Sequence, residues 1–223
     1  MLQEHLRKVA EEDFSFATEK FEREGFDSFK QMYEHSYNTS ESQYMATISW
    51  SASMLYKLTG KAYYAEKAVE AIRYVLDCQR TEPLQDPGKT CGFFYRDQSG
   101  KSIVHYIHQS REQVYMQAMT LLCETQKQHP DYQKWVNSIQ LYGNYLKGLM
   151  KYTQPYGMIP SGVYHAEEYS DSASFYALHL FPPANARQLY TEQVKRGVKL
   201  DKEHYLKRFP VWFSIFNGNT AIH

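Results

Sequence analysis

Side chains that could bind or protonate a polar ligand are concentrated in the stretch 107–113, which reads Ile-His-Gln-Ser-Arg-Glu-Gln. These side chains are His108, Arg111 and Glu112. Ser110 and Gln113 have the spacing of a capping box, and apolar residues follow at helical intervals, so a helix is predicted from here to about Gln126. Free N–H groups and the positive dipole end at its first turn would favour an anionic or hydroxyl-rich ligand.

The same stretch could also be an ordinary capped helix whose Arg and Glu side chains pair at the surface, because most Arg and Glu residues in proteins are exposed. The segment in front of it, Arg80 to Ile107, favours a site instead. Loops of this length that contain Gly, Pro and aromatic residues are uncommon in compact domains unless they bind or catalyse. A second long segment, Tyr152 to Pro210, has the same character.

Carboxylates at the ends of these loops are the candidates for proton transfer. They are Glu41, Asp97 and Glu112, with Glu167, Glu168 and Asp171 in the second long loop. Asp97 is the strongest candidate, because the aromatic run Phe93-Phe94-Tyr95 before it could stack on a sugar ring and Arg96 could hold its charge. None of the candidates lies in a catalytic motif, and solvation or sugar binding would explain each of them as well.

Composition excludes several classes of protein. The 223 residues contain 25 Lys+Arg and 25 Asp+Glu, so there is no charge footprint for nucleic acid, and no run of the sequence is apolar enough for a membrane span. The 3 cysteines are far apart and fit neither a disulfide framework nor a zinc site. No targeting segment is recognisable, so the localisation stays open. The 20 tyrosines suit both packing between helices and stacking on sugars.

Periodicity predicts helices throughout. The first runs from about Leu2 to Glu24, and a second, capped by Thr39 or Ser40, has an apolar stripe and otherwise small, uncharged residues. That stripe comprises Met45, Ile48, Ala52 and Leu55. A tight break then leads to an amphipathic helix from Ala62 to Gln79. An uncharged helix followed by an amphipathic one predicts an antiparallel hairpin with an inner and an outer member.

The hairpin pattern recurs after about 70 residues, with Glu112 to Gln126 as the inner helix and an outer helix capped by Asp131. The apolar stripe of that outer helix comprises Trp135, Ile139, Tyr142, Leu146 and Leu149. A third inner helix is expected near Trp212. The fold class is therefore all-α, with repeated hairpins. The segments Asn38–Glu41, His108–Glu112 and Arg208–Asn219 are expected to gather on one face.

Two runs resemble a known family. Leu58-Thr-Gly-Lys-x-Tyr-Tyr-x-Glu-Lys-Ala68 resembles the hairpin break of the six-hairpin, or (α/α)6 toroid, glycosidases. Arg208-Phe-Pro-Val-Trp-Phe-Ser-Ile-Phe-Asn-Gly-Asn-Thr-Ala221, with His108-Gln-Ser-Arg-Glu112, is similar to cellulase-like proteins of glycoside hydrolase family 9. The resemblance implies hydrolysis of a β-linked poly- or oligosaccharide with inversion, by an acid and a base and without metal or cofactor. The substrate-binding candidates are His108, Arg111, Glu41, Tyr95, Arg208, Trp212 and Asn219.

The chain lacks the family's Asp-Ala-Gly-Asp motif and its late acid glutamate. Residues 1–223 are therefore expected to form a partial toroid, truncated at both ends, that hydrolyses nothing alone. Such an arc would leave apolar inner faces partly bare and associate through its open edges. The residues expected to be bare are Met45, Ile48 and Leu55, or Trp212 and Phe213.

Two alternatives from other classes stay open. One is another toroid carbohydrate enzyme, such as an unsaturated-glycoside hydrolase, a lyase or an epimerase, in which His108 or His165 and a tyrosine transfer protons. A lyase would be expected to carry more basic residues between Arg80 and Ile107. The other is a helical-repeat interaction protein without chemistry, against which the long loops argue.

Overall fold

The computed structural model describes residues 2–26, 28, 40–84, 89–101, 103–104 and 112–151, and the backbone of two short strands. The helices are α1 (Leu2–Glu24), α2 (Glu41–Thr59), α3 (Ala62–Asp77), α4 (Gln113–Thr125) and α5 (Tyr132–Met150). The strands are β1 (Val163–His165) and β2 (Leu206–Arg208). The five helices make up most of the described residues, which agrees with the predicted all-α class. The strands were not predicted; they pair antiparallel, with Tyr164 opposite Lys207.

The chain divides into two compact units. The first comprises Met1–Cys78 and Gln113–Ile139, and the second comprises Gln79–Glu112 and Gln140–His223. Helix α5 therefore contributes its first part to one unit and the remainder to the other.

Helix α2 is the centre of the first unit. It packs on α1, α3 and α4, most extensively on α3. Small or uncharged residues allow this close packing from several sides, as the sequence predicts. The buried residues are Ser42, Gln43, Ala46, Ile48, Ser49, Ala52, Ser53 and Leu55.

Both ends of α2 have well-defined caps. The hydroxyl of Ser40 accepts a hydrogen bond from the N–H of Gln43 at 3.2 Å, which confirms the predicted start. At the other end Gly60 has φ +70°, and its N–H donates to the carbonyl of Tyr56 at 2.8 Å. Glycine adopts this left-handed conformation without strain, and two residues then suffice to start α3.

The expectation of bare inner faces is wrong for two of its residues. Ile48 and Leu55 are only 8% and 4% exposed, because α2 is packed on three helices. The exposed large apolar residues of α2 lie one helical turn apart instead, at Trp50, Met54 and Leu58. The companion expectation for Trp212 and Phe213 concerns residues outside the described part of the chain.

Helix α1 has the predicted bounds, but its apolar residues are only partly covered. Phe14 is buried and meets the ring of Tyr64 edge-on at 5.5 Å, whereas Leu6 is 57% exposed. Charged contacts add to the attachment of α1, with Lys61 binding Glu11 and Lys67 binding Glu22. The ring of Phe21 also stacks on that of Tyr44 in α2, at 4.8 Å, so the apolar docking of α1 involves both Phe14 and Phe21.

The long segment after α3 has regular backbone pairing in its described part. Gln79 forms a β-bridge with Phe94, which explains why α3 ends at Asp77 and not at Gln79 as predicted. A second bridge joins Tyr95 to Ile103, and the N–H of Val104 donates to the carbonyl of Phe94 at 2.8 Å.

Gly92 fixes this segment against α5 within the second unit. Its φ is +99°, and a Cβ built there would lie 2.5 Å from the carbonyl oxygen of Leu141. No side chain fits so close an approach, so this position requires glycine. The side-chain amide of Gln79 also donates to the carbonyl of Gly92 at 3.0 Å.

Candidate functional site

Glu112 is the candidate whose environment departs most from that of a surface carboxylate. It directly precedes α4, where the sequence predicts a helix start, and it is 1% exposed. The hydroxyl of Tyr142, in α5, donates to its Oε2 at 3.0 Å. Its other oxygen, Oε1, is buried and has no hydrogen-bond partner. A buried carboxyl with one unsatisfied oxygen is costly, and such groups call for an explanation.

Tyr142, which binds the carboxyl of Glu112, is packed in a cluster of aromatic rings. The ring of Tyr142 lies 5.7 Å from that of Phe94 and 5.7 Å from that of Tyr145. Phe93 continues the cluster, with its ring 5.8 Å from that of Tyr145. The ring of Tyr142 is therefore packed among other aromatic rings and is almost completely removed from water.

Burial raises the pKa of Glu112 from its usual 4.5 to about 8, although the hydrogen bond from Tyr142 lowers it. Loss of hydration penalises the charged form, and one hydrogen bond to that form offsets only part of the penalty. The carboxyl of Glu112 is consequently mostly in its neutral form at pH 7. It holds a transferable proton, and Tyr142 fixes the orientation of the carboxyl group.

Asp97 and the aromatic run before it have a different role from the one expected. The carboxylate of Asp97 accepts the N–H of Ser99 at 2.8 Å, which closes a turn. Phe93 and Phe94 are fully buried and Tyr95 is 8% exposed. The expectation of an exposed stacking platform is therefore wrong, because these rings form the core of the second unit.

The other candidate residues are only partly described. Glu41 lies in the first turn of α2 and is half-buried. Arg208 lies in β2 opposite Val163, and only its backbone is described. The remaining candidates lie outside the described residues: Asn38, His108, Arg111, Glu167, Glu168, Asp171, Trp212 and Asn219. The gathering of the three segments on one face stays a prediction.

Comparisons with known proteins give no relative. No protein-family model, curated protein or solved structure matches this chain.

Metal-binding clusters and membrane-spanning helices are both absent from the described residues. Among them, no group of three or more His, Cys, Asp or Glu side chains could hold a metal ion. None of the described helices combines the length and the apolar character needed to cross a lipid bilayer.

Sequence reasoning found Glu112 and missed Tyr142 as its partner. Tyr142 was predicted as one member of the apolar stripe of α5, and that position is confirmed, with 4% exposure. A tyrosine 30 positions along the chain gives no local signal of a contact with Glu112. The pairing depends on how α5 packs in the second unit, which periodicity does not specify.

Proposed function

We propose that this chain is part of a glycoside hydrolase acting on a β-linked poly- or oligosaccharide with inversion, and that Glu112 supplies the acid in place of the late glutamate that the family resemblance implies. The proposal adds a specific residue to the family resemblance of the sequence. What supports it is the neutral, buried carboxyl of Glu112, oriented by Tyr142 and with Oε1 unpartnered.

Inverting hydrolysis needs a carboxylic acid that is still protonated at the working pH, so that it can protonate the leaving oxygen. A carboxyl in an apolar environment with a raised pKa is the usual solution in proteins. Glu112 meets this requirement by burial, and Oε1, which has no hydrogen-bond partner, is the oxygen that would donate to the sugar. The carboxylate that activates water, roughly 6.5–9.5 Å from the acid in such enzymes, is left unassigned.

Binding of a sugar to Glu112 should depend on its proton. Calorimetric titration with a β-1,4-linked glucose tetramer should show saturable binding at pH 7, whereas the α-1,4-linked tetramer should not bind. Affinity should fall about 5- to 10-fold between pH 7 and pH 9, since ionised Glu112 no longer donates a hydrogen bond.

Glu112→Gln is the matched control for this titration. The amide has the same shape and donates a hydrogen bond at every pH, so the variant should bind with an affinity that does not change between pH 7 and pH 9. In any preparation of the protein that hydrolyses a β-glucan, the same variant should lower kcat by about 100- to 10,000-fold. Absence of binding to the β-linked tetramer, or a wild-type affinity as independent of pH as that of the variant, would refute the proposal.

One observation favours a second candidate, a toroid lyase or epimerase in which a tyrosine transfers the proton. The hydroxyl of Tyr142 is bonded to Glu112, and the pair could exchange a proton with a uronate substrate. The two candidates differ in their products. A lyase generates an unsaturated sugar with ultraviolet absorbance from a polyuronate, whereas a hydrolase generates reducing ends without that absorbance.

A further inference from the structure

A buried cluster of uncharged polar side chains lies at the N-terminus of α2, in the first unit. It joins Ser40, Ser42 and Gln43 to Tyr115 of α4, and all four residues are at most 5% exposed. The hydroxyls of Ser42 and Tyr115 are 2.8 Å apart, and those of Ser40 and Ser42 are 3.2 Å apart. The Ser40 hydroxyl donates to Oε1 of Gln43 at 3.2 Å.

The Gln43 amide is the end of this cluster. In one orientation of the amide, Oε1 of Gln43 accepts from the hydroxyl of Ser40. The other two contacts each join a pair of hydroxyls, and either hydroxyl of a pair can be the donor.

One atom of the Gln43 amide, the nitrogen Nε2, lacks a hydrogen-bond partner. The residue is only 5% exposed, so bulk water does not supply the missing bond. Rotating the amide by half a turn would exchange its oxygen and nitrogen and leave the oxygen unpartnered instead. In both orientations one polar atom of Gln43 lacks the bond that a buried amide requires.

We infer that this cluster is a binding site for one uncharged hydroxyl group, held by the Gln43 amide. A hydroxyl both donates and accepts, so it satisfies the amide in either orientation. A charged ligand is disfavoured, because the four cluster residues carry no charge and a buried ion without a partner is strongly destabilised. The hydroxyl can come from a water molecule or from a polyol. This site shares no residue with the Glu112 site and does not depend on the hydrolase proposal.

The site can be tested on the unmodified chain by nuclear magnetic resonance. The side-chain NH2 protons of Gln43, assigned through the aliphatic protons of the same residue, should show rotating-frame cross-peaks to a bound hydroxyl. The buried amide of Gln79 is the control, because its Nε2 already donates to the carbonyl of Gly92 at 3.0 Å. Gln79 should show no such cross-peak.

Addition of glycerol, and separately of glucose, identifies the source of the hydroxyl. Cross-peaks from Gln43 to polyol carbon-bound protons, with chemical-shift changes larger than those of Gln79, would assign the site to a polyol. Cross-peaks at the water frequency that survive both additions would assign it to a bound water. Gln43 NH2 protons that are observable and give neither signal would overturn the inference.

Discussion

The hydroxyl of Tyr142 donates to Oε2 of Glu112 across 3.0 Å, and the opposite oxygen of the same carboxyl has no partner. One oxygen of the carboxyl is therefore held by Tyr142, and the other is buried without a hydrogen-bond partner. Loss of hydration and a single hydrogen bond oppose each other at this group, and the loss of hydration has the larger effect. The resulting neutral acid has consequences for stability as well as for chemistry.

The free energy of unfolding should fall as the pH rises from 4.5 to about 8. In this window the unfolded chain releases the proton of Glu112 and the folded chain retains it. Folding is then weakened by about 1.4 kcal/mol per pH unit through this group. Below pH 4.5 both states are protonated at Glu112, so its full contribution is present there. Urea denaturation at a series of pH values measures the slope.

Glu112→Gln tests whether Glu112 causes that slope. The variant keeps the shape of the side chain and cannot ionise. The slope of its unfolding free energy against pH should therefore be smaller than that of the wild type by the contribution of Glu112. A wild-type slope that is unchanged in the variant would assign the pH dependence to other groups.

Tyr142→Phe should raise the pKa of Glu112 further, because the hydroxyl of Tyr142 is the contact that lowers it. The loss of stability with pH should then extend to higher pH than in the wild type. The variant should also lose about 1–3 kcal/mol, since Oε2 of Glu112 loses its partner inside the protein. Tyr145→Phe, one turn along α5, is the control. It should not change the pH at which the loss of stability caused by Glu112 ends.

Phe14→Ala should weaken the attachment of α1. Phe14 is 5% exposed and packs on Tyr64, so truncation should cost about 3–5 kcal/mol of stability, or free α1 locally if the rest stays folded. Hydrogen exchange separates these results, because local release accelerates exchange in α1 and spares α2. Phe16→Ala removes a ring that is 63% exposed and should change stability by less than about 0.5 kcal/mol. Equal effects of the two variants would contradict this account of α1.

Gly92→Ala should destabilise the second unit more than Gly100→Ala. Both glycines have positive φ, which costs another residue about 1–2 kcal/mol. At Gly100 the nearest atom to a new Cβ is 3.8 Å away, whereas at Gly92 the carbonyl oxygen of Leu141 is 2.5 Å away. The steric clash should add roughly 1–3 kcal/mol at Gly92. Chemical denaturation of the two variants measures the difference, and equal losses would show that the backbone moves aside.

Helix positions could be predicted from the sequence because they depend on local spacing and caps. The bounds of α1 and the start of α2 at Ser40 follow from apolar periodicity and from a capping residue. The end of α3 could not be predicted, because the bridge between Gln79 and Phe94 depends on a distant residue. The arrangement of hairpins into a toroid stays a prediction.

The site was predictable only in part for the same reason. The position of Glu112 before a helix is visible in the sequence, but burial decides its pKa and burial is a tertiary property. Aromatic residues around Phe93 are compatible with a sugar platform and with a core, and a sequence does not distinguish the two. The spacing of Ser40 and Gln43 is that of a capping box, so it could have indicated the first half of the hydroxyl cluster.

The two-residue connection through Gly60 and Lys61 also has a kinetic consequence. Contacts between α2 and α3 close only short loops, because two residues join these helices. Contacts between α2 and α4 close a much longer loop, because the whole segment between Asp77 and Gln113 separates α3 from α4. Loop closure costs more entropy as the segment lengthens, and local contacts favour fast folding. We therefore expect the α2–α3 hairpin to form the folding nucleus of the first unit, with α4 docking after the rate-limiting step.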